Sequence, residues 1–509
     1  MASLSTHLST SHTLYKTRNP KSHAAHQEAL KHLPGGNTRS TIFSTPFPLT
    51  FASGKNGTLT SLDGDTYTDF LGEYSAGLFG HSNARIANVV STTMASGWNF
   101  GGISAHESPF AARVCDRFGE AGVDMVRFTN SGTEANTMAI ATALAFVNSN
   151  HSNLGNGNGE KRKSMKRKIL VFSNAYHGAT LTFPMSLVMD DDAEGGKGGG
   201  GVISGGTTGP AATNIPHDFV LAPYNNIAET RAIIDSLHPT SSSLAAILFE
   251  PLQGAGGCRP ATKEFARFLR QVADDHSALL IADEVMTSRL GPAGLCVGFL
   301  DVKPDIMTLG KWVGGGMSFG AFGGRREIME LYLPGGLGEG KGKLSHAGTF
   351  NNNILTMVAG REGLGIYTRE RARVLNGLGD RLRNGVWKVL VGRGIICENV
   401  GSEGEGSGLS GEVGVVDVDT FDREKREREA KALPRMFVSG YGSLITMRFT
   451  GEAAETWKAL FYHHMLEENI YLATRGYMAL TMETTEDEVD RFIRCVEGFL
   501  DQYRELLIT

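Results

Sequence analysis

The sequence predicts an α/β fold built on a mainly parallel sheet with helices on both faces. Four short apolar runs, rich in β-branched and aliphatic residues, indicate buried strands: KILVFSN (168–174), LAAILFEP (244–251), ALLIADEV (278–285) and DIMTLGK (305–311). Longer amphipathic stretches after Gly132, Thr262 and Arg325 indicate helices. Strands that alternate with helices pair in parallel, because each helix returns the chain across the sheet.

The length of the chain indicates more than one domain. At 509 residues it exceeds the size at which a single hydrophobic core stops growing. We predict a large domain over residues 96–365 and a smaller α+β domain formed by residues 1–95 and 366–509. The first part contains an amphipathic helix, a PGG turn and a hairpin-like segment, GKNGTLTSLDGDTYTDF, and the last part ends in a long helix.

Composition and charge exclude several classes of protein. A formal net charge of −5 argues against nucleic acid or an anionic membrane as the main partner. The 5 cysteines are far apart and contain no CxxC pair, which predicts neither a disulfide framework nor a metal site and favours a reducing compartment. Apolar runs such as 278–282 are too short to span a bilayer.

The N-terminal segment, MASLSTHLSTSHTLYKTRNPK, is rich in Ser and Thr and has no acidic residue before Glu28. This composition resembles a mitochondrial presequence. It has almost no Arg and no amphipathic stripe, so we predict an exposed arm and a cytoplasmic location, with a mitochondrial location as the alternative.

Three stretches have the composition of surface loops. Residues 149–168 and 190–214 are rich in Gly with polar or charged residues, and residues 401–435 combine Gly and Ser with a charge run. We predict loop insertions there; the alternative is a regulatory or interaction segment.

The strongest motif is FTNSGTEANTMAIATALAF, in which a strand ends just before Ser131, Gly132 and Thr133 and a long helix follows. Free backbone N–H groups and hydroxyls at a helix N-terminus form an anion site suited to a phosphate. The alternative is an ordinary helix cap, since Ser and Thr are preferred there in any protein.

Other polar residues directly follow the remaining predicted strands. Ligands of parallel sheets bind at these carboxyl ends of the strands. Asp283 could pair with a cationic ring nitrogen, bind a metal or cap a helix. Lys311 in a dry pocket could act as a nucleophile and then as a base, although it could also be a solvated surface residue. Tyr176, which precedes His177 in SNAYHG, could stack on a flat ligand.

In their order along the chain, SGTEA, YHG, EPLQG, DEV, a strand ending in GK, and GTF are similar to the class III, fold type I pyridoxal-phosphate aminotransferases. The resemblance extends from about Leu33 to Arg494, apart from the three insertions. It implies pyridoxal 5′-phosphate as the cofactor, an amino donor and a keto acid as substrates, and a homodimer that shares its active sites.

The resemblance also implies roles for individual residues. Lys311 would carry the cofactor as a Schiff base and move the proton between the substrate carbon and C4′ of the cofactor. Asp283 would pair with the pyridine nitrogen, so that the ring can accept electrons. The other implied cofactor contacts are Val285 and Tyr176 on the two ring faces, Ser131, Gly132 and Thr133 on the phosphate, Thr349 on the phosphate of the other subunit, and His177 and Glu250 lining the site.

Two relatives within this family compete. The segments NTRSTIFSTPFPLT, EYSAGLFGHS, HAGTFNNN and ATRGY resemble the β-amino-acid aminotransferases of the β-phenylalanine type, whereas PGG, NSGTEA and TLGK are also similar to glutamate-1-semialdehyde aminomutase. In the former, the positions of Arg39 and Arg475 bind the substrate carboxylate and the α-carboxylate of the acceptor. The aminomutase pattern lacks the second arginine. Tyr74, Phe79 and Tyr176 are candidates for an apolar substrate pocket.

We therefore expect a ping-pong transfer of an amino group from a β-amino acid to 2-oxoglutarate or pyruvate. Intramolecular amino transfer of the aminomutase kind is the alternative. A different class of function, a non-catalytic cofactor-binding protein that acts through its insertions, also remains open, although such a protein would have no chemical need for Lys311.

Overall fold

The chain folds into two compact units, a large unit of residues Arg85–Ala372 and a small unit of residues Met1–Ala84 and Arg373–Thr509. The structure is a computed structural model, and it describes residues 3–149, 165–178, 218–237, 244–334, 344–396 and 434–508. The loops predicted at 149–168, 190–214 and 401–435 lie mostly or wholly outside the described residues.

The first part of the small unit contains two helices and three strands: α1 (Leu4–Arg18), α2 (Pro20–Ala29), β1 (Phe51–Lys55), β2 (Thr58–Ser61) and β3 (Thr66–Asp69). The strands form an antiparallel meander, in which Lys55 pairs with Thr58 and Thr58 pairs with Thr68. The predicted hairpin is therefore confirmed.

The large unit contains most of the helices and strands. In chain order these are α3 (Ala84–Met94), α4 (Glu107–Phe118), β4 (Met125–Thr129), α5 (Gly132–Ser149), β5 (Lys168–Phe172), β6 (Asp218–Ala222), α6 (Ile227–Ser236), β7 (Leu244–Phe249), β8 (Leu252–Gln253), β9 (Arg259–Pro260), α7 (Lys263–Asp275), β10 (Leu279–Asp283), α8 (Leu295–Gly298), β11 (Ile306–Gly310), β12 (Gly320–Gly324), α9 (Arg326–Met329) and α10 (Ile354–Ile366).

The second part of the small unit begins within a long helix and ends with another. Its elements are α11 (Arg369–Gly392), β13 (Met436–Tyr441), β14 (Leu444–Phe449), α12 (Ala454–Glu467), β15 (Ile470–Tyr471), β16 (Tyr477–Ala479) and α13 (Glu486–Ile508). Strand β15 pairs in parallel with β3 and so joins the two chain ends in one sheet, while β13, β14 and β16 form a second, antiparallel sheet.

The main sheet of the large unit has the strand order β4-β12-β11-β10-β7-β5-β6. The four strands predicted from the sequence are β5, β7, β10 and β11, and they lie side by side in parallel as expected. Strand β12 is antiparallel to both of its neighbours. The sequence analysis did not identify it, because the composition of GAFGG is typical of a loop.

Helices cover both faces of this sheet. Alternate residues of β7 point to opposite faces: Ile247 and Phe249 pack with Phe265 and Leu269 of α7, and Leu248 packs with side chains of α5. Burial on both faces explains why these strands are continuous apolar runs. The predicted helices after Gly132 and Thr262 are confirmed, whereas the one after Arg325 has only 4 residues before it tightens into a 3₁₀ turn.

The predicted exposed arm at the N-terminus is wrong, because residues 4–18 form α1, which packs on α12. Ser3 caps the helix by accepting a hydrogen bond from the backbone N–H of Thr6. The ring of Tyr15 is buried with Phe47 and Leu466, and its hydroxyl donates to the carbonyl of Phe47. This segment has no apolar stripe at helical spacing, so the sequence alone does not reveal that the helix packs on another.

Two further observations concern the described residues only. None of their helices is both long and apolar enough to cross a membrane. Their cysteines, at 115, 258, 296 and 495, are free thiols.

We expect the small unit to lose stability in acid through His463, a buried residue of α12. Its Nε2 lies 2.9 Å from the carbonyl of Thr45, its ring contacts Tyr15 and His12, and burial lowers its pKa to about 4. Because the unfolded chain takes up the proton near pH 6.5 and the folded chain does not, the free energy of unfolding falls as the pH drops from 6.5 to 4, by up to about 3 kcal/mol.

Urea unfolding at pH 7 and pH 5 checks this prediction. His463→Gln retains a side-chain donor and should reduce the difference in the free energy of unfolding between pH 7 and pH 5. His32→Gln, at a solvent-exposed position of the same unit, should leave that difference unchanged. The prediction would be wrong if His463→Gln lost as much free energy of unfolding between pH 7 and pH 5 as the wild type does.

Candidate active site

Most of the predicted cofactor residues lie in the large unit, just after the carboxyl ends of its strands. Asp283 is the last residue of β10, and Lys311 directly follows β11, the neighbouring parallel strand. Residues 131–133 follow β4, and Tyr176 and His177 follow β5. Because parallel strands end at the same edge of a sheet, this topology gathers residues that are far apart in sequence.

A network of hydrogen bonds surrounds the buried carboxylate of Asp283. Its Oδ2 accepts from Nδ2 of Asn136 at 2.8 Å and lies 2.7 Å from Nδ1 of His177, while its Oδ1 accepts from the backbone N–H of Val285. Asn136 in turn accepts from the hydroxyl of Thr308 at 2.7 Å. A carboxylate that is oriented in this way, at the end of a strand, is suited to pair with a cationic ring nitrogen of a ligand.

The N-terminus of α5 supports both interpretations of the SGTEA motif. The hydroxyl of Ser131 accepts from the backbone N–H of Glu134, as an N-cap does, and the Glu134 carboxylate accepts from the N–H of Asn130, the residue before the cap. The N–H groups of Gly132 and Thr133 have no acceptor within the helix, because they belong to its first turn. Ser131 therefore caps the helix. The backbone N–H groups of Gly132 and Thr133 remain available to bind an anion at the positive end of the helix.

Two glycines allow the loops of the site to approach each other. Gly178 has a φ of 100°, and a side chain there would overlap Thr133. A Cβ on Gly132 would lie 2.7 Å from a methyl group of Val285. The tight contact of the Tyr176–Gly178 loop with α5, and of α5 with Val285, thus depends on the absence of side chains.

Lys311 begins a 3₁₀ turn and has a φ of 55°, in the left-handed region that non-glycine residues avoid. The turn is held by Trp312, which is fully buried and donates from Nε1 to the hydroxyl of Ser288 at 2.9 Å. Such a conformation persists only where the surroundings impose it, and it is concentrated at functional sites.

Glu250 connects the loop after β5 to the loop after β7. Its carboxylate accepts from the backbone N–H groups of Tyr176 and Gly254, at 2.9 and 3.1 Å. Burial raises the pKa of Glu250 to about 7; the charge of Asp283 adds to this rise, and His177 opposes it. The ring of Tyr176 is partly exposed, as a stacking surface for a ligand must be.

The structure distinguishes between the two acidic residues of the DEV motif. Glu284 is fully buried and accepts from the hydroxyl of Thr287 and from the backbone N–H groups of Leu295 and Cys296. Burial raises the pKa of Glu284 to about 7. Glu284 therefore holds the start of α8 in place, and Asp283 is the residue that belongs to the site.

Thr349 is exposed on the turn before α10 and is not among the residues gathered around Asp283. The turn lies beside the start of α5, because Oδ1 of Asn351 accepts from Nδ2 of Asn130 at 3.1 Å.

Three predicted substrate residues come together in the small unit. The guanidinium of Arg475 lies over the rings of Tyr74 and Tyr477, 5.4 and 5.5 Å from their centres. Burial raises the pKa of Tyr74, and the charges of Arg475 and Arg39 oppose that rise, because both guanidiniums lie near this residue. Phe79, the other aromatic candidate of this unit, is a buried core residue.

The site in the large unit fits pyridoxal phosphate. That molecule carries a phosphate, a basic ring nitrogen and an aldehyde, and the unit supplies an anion site at α5, a buried carboxylate at Asp283 and an amine at Lys311. The strand order and the position of the site define a fold type I pyridoxal-phosphate enzyme.

Comparison with known proteins identifies the family. The class-III aminotransferase family model matches residues 42–385, and the chain belongs to this family. The β-phenylalanine transaminase of Variovorax paradoxus is 35% identical over 96% of this chain and 94% of its own. The crystal structure of that organism's β-phenylalanine aminotransferase superimposes with a TM-score of 0.78, at 34% identity and 99% coverage of both chains.

Two further relatives bear on function. A glutamate-1-semialdehyde 2,1-aminomutase of Bacillus licheniformis is 28% identical over 95% of this chain and 98% of its own. A solved transaminase with pyridoxal phosphate bound is 25% identical, with a TM-score of 0.74 and coverage of 96% and 99%. The protein is thus a class-III aminotransferase that depends on pyridoxal phosphate, and the hypothesis of a non-catalytic protein loses its basis.

The sequence analysis missed Asn136 and Thr308, although both hold Asp283 in place. Asn136 lies one turn of α5 after Gly132, inside the quoted motif, and its amide is the type of side chain that can donate and accept at once. Thr308 lies within an apolar run, where a single hydroxyl gives no signal of function. Only the packing of α5 on the paired strands β10 and β11 brings them to the same carboxylate.

We expect Asn136→Ala to weaken cofactor binding by about 10- to 100-fold, because hydrogen bonds to a charged group contribute about 1.5–3 kcal/mol. Titration of the apo-protein with pyridoxal phosphate, followed by absorbance, measures this affinity. Asn148→Ala is a matched control, since Asn148 lies on the same helix and donates only to main-chain carbonyls. Equal affinities for the two variants would remove Asn136 from the site.

Proposed function

We propose that this enzyme is a β-amino-acid transaminase, which transfers the amino group of a β-phenylalanine-like donor to 2-oxoglutarate or pyruvate. The observation that carries the proposal is the cluster of Arg39, Arg475 and Tyr74 in the small unit. In this proposal the large domain, predicted over residues 96–365, binds the cofactor. The smaller domain, formed by the two chain ends, selects the carboxylates of the substrates.

The need for two arginines follows from the two half-reactions. The donor and the acceptor occupy the site in turn, and each brings a carboxylate, which a guanidinium binds through two parallel hydrogen bonds. Arg39 would bind the carboxylate of the β-amino acid, and Arg475 the α-carboxylate of the keto acid. The ring of Tyr74 would support the guanidinium of Arg475 through a cation–π contact.

The residues of the large unit would position the cofactor and move protons. Pyridoxal phosphate, when bound, supplies an electron sink for the substrate carbon. Asp283, oriented by Asn136 and His177, would hold the proton on the ring nitrogen. The amine Nζ of Lys311 would take the proton from the substrate carbon and deliver it to C4′ of the cofactor, and the first turn of α5 would bind the phosphate.

A half-reaction tests the proposal. We expect β-phenylalanine to abolish the absorbance of the lysine-bound cofactor and 2-oxoglutarate to restore it, whereas Lys311→Ala should show neither change. Arg39→Lys should raise the KM for β-phenylalanine, and Arg475→Lys the KM for 2-oxoglutarate, each by about 10-fold or more, because lysine keeps the charge and loses the paired hydrogen bonds.

Arg393→Lys, at a partly exposed position of the same unit, is the control and should leave both KM values unchanged. A response to glutamate-1-semialdehyde alone, with 5-aminolevulinate as the product, would replace the proposal with the aminomutase function of the relative from Bacillus licheniformis.

We further propose that the enzyme is a homodimer with shared active sites. The large unit exposes a cluster of apolar side chains, here called the apolar patch: Met94, Trp98, Phe100, Ile103, Met317 and Phe350. The two segments that supply most of it are adjacent, since Nδ2 of Asn352 donates to the carbonyl of Gly102 at 3.1 Å. Exposed apolar surface of this kind is typical of an interface. Thr349 is exposed and directly precedes Phe350, and in this proposal it reaches the phosphate site of a second copy.

We expect Ile103→Glu to convert the dimer to a monomer in sedimentation experiments at micromolar concentration. Ile103 is 91% exposed, so a charge there leaves the fold intact and acts only where a second copy covers it. Val374→Glu, at an exposed apolar position of the small unit, is the matched control. If the Ile103→Glu variant remains a dimer, the dimer interface must lie on another surface.

We also propose a cytoplasmic location. The described cysteines are free thiols, as expected for a protein of a reducing compartment.

A further inference from the structure

The turn that follows β3 has an unusual backbone. Gly72, Glu73, Tyr74 and Ser75 all have a positive φ, of 54°, 48°, 52° and 77°. Three of these residues have side chains, and the left-handed region brings the Cβ of each too close to its own backbone. A run of this kind persists only where neighbouring groups impose it.

Asp69, at the end of β3, imposes this conformation. Its Oδ1 accepts from the backbone N–H groups of Leu71 and Gly72, at 2.8 and 3.1 Å, and its Oδ2 lies 3.0 Å from Nε2 of His81. On the other side of the turn, the N–H of Ala479 donates to the carbonyl of Phe70. The turn is therefore anchored to the sheets of the small unit, and its side chains have a defined direction.

The turn directs the carboxylate of Glu73 to Arg39. Oε1 of Glu73 lies 2.5 Å from Nη1 of Arg39, and both side chains are about half exposed. Arg475 differs, because within the described residues it forms no ion pair, and its buried Nε has no hydrogen-bond partner. One of the two arginines thus has a resident carboxylate and the other has none.

We propose that Glu73 is a resident counter-ion for Arg39, which a substrate carboxylate displaces and which returns when the substrate brings none. This inference rests on the proposed function and deepens it. With 2-oxoglutarate, the α-carboxylate would bind Arg475 and the distal carboxylate would displace Glu73 from Arg39. Pyruvate has no distal carboxylate, so Glu73 would keep Arg39 neutralised. Glu73 thereby lowers the preference of the site for 2-oxoglutarate over pyruvate.

The exposure of the pair limits the size of the effect. Ion pairs between half-exposed side chains are weak, so the competition by Glu73 should change affinities by about two- to fivefold. A substrate carboxylate can therefore displace it readily.

The test is Glu73→Gln, which keeps the shape of the side chain and removes its charge. We expect kcat/KM to rise by about two- to fivefold for 2-oxoglutarate, which must displace Glu73, and to stay unchanged for pyruvate, which does not. Glu73→Asn should act in the same direction, and it guards against misfolding because Asn tolerates a left-handed backbone. Glu28→Gln, which removes an exposed carboxylate paired with Lys31 in the same unit, should change neither value.

A binding measurement separates this inference from the proposed function. Calorimetry with glutarate, an unreactive dicarboxylate, should show about two- to fivefold tighter binding to Glu73→Gln than to the wild type. Equal glutarate affinity and an unchanged preference between the keto acids would overturn the inference, even in an active β-amino-acid transaminase. Tighter glutarate binding in an enzyme that does not convert β-phenylalanine would support the inference and reject that donor.

Discussion

The hydrogen bonds that Asp283 accepts organise the cofactor side of this enzyme. They join separate parts of the chain: α5 through Asn136, the loop after β5 through His177, and the end of β10 through Val285. A buried carboxylate is unfavourable unless donors surround it, so these contacts constrain the loops as well as the side chain. The position of α5 relative to the sheet, and with it the direction of its first amides, follows from the same network.

Unfavourable backbone conformations occur at Lys311 in the large unit and at the Gly72–Ser75 turn in the small unit. Lys311 has a left-handed φ and is held by the burial of Trp312, and the Gly72–Ser75 turn is held by Asp69. In both cases the side chain to which we assign a function is on the strained segment, and a buried neighbour supplies the constraint. This arrangement fixes the direction of a side chain that must meet a ligand, without placing the ligand-binding group itself in the core.

The polar groups of the two units differ in charge. The large unit offers a carboxylate, an amine and a helix N-terminus, which match the three polar groups of the cofactor. The small unit contains Arg39, which is paired with Glu73, and Arg475, and we propose that both bind the carboxylates of substrates. Under the proposed function, the large unit would supply the cofactor chemistry and the small unit would select the acids that are accepted.

The amino-acid sequence was sufficient to predict the class of fold and the motifs of the cofactor site, because buried parallel strands are continuous apolar runs and functional residues follow them directly. It could not reveal β12, whose glycines resemble a loop, or α1, whose contacts are distant in sequence. The contacts of Asn136, Thr308 and Glu73, from which we infer their roles, are visible only in the folded chain. Each is an ordinary polar residue in sequence, and each acquires its role from a partner that strand pairing, helix packing or a backbone turn brings within hydrogen-bonding distance.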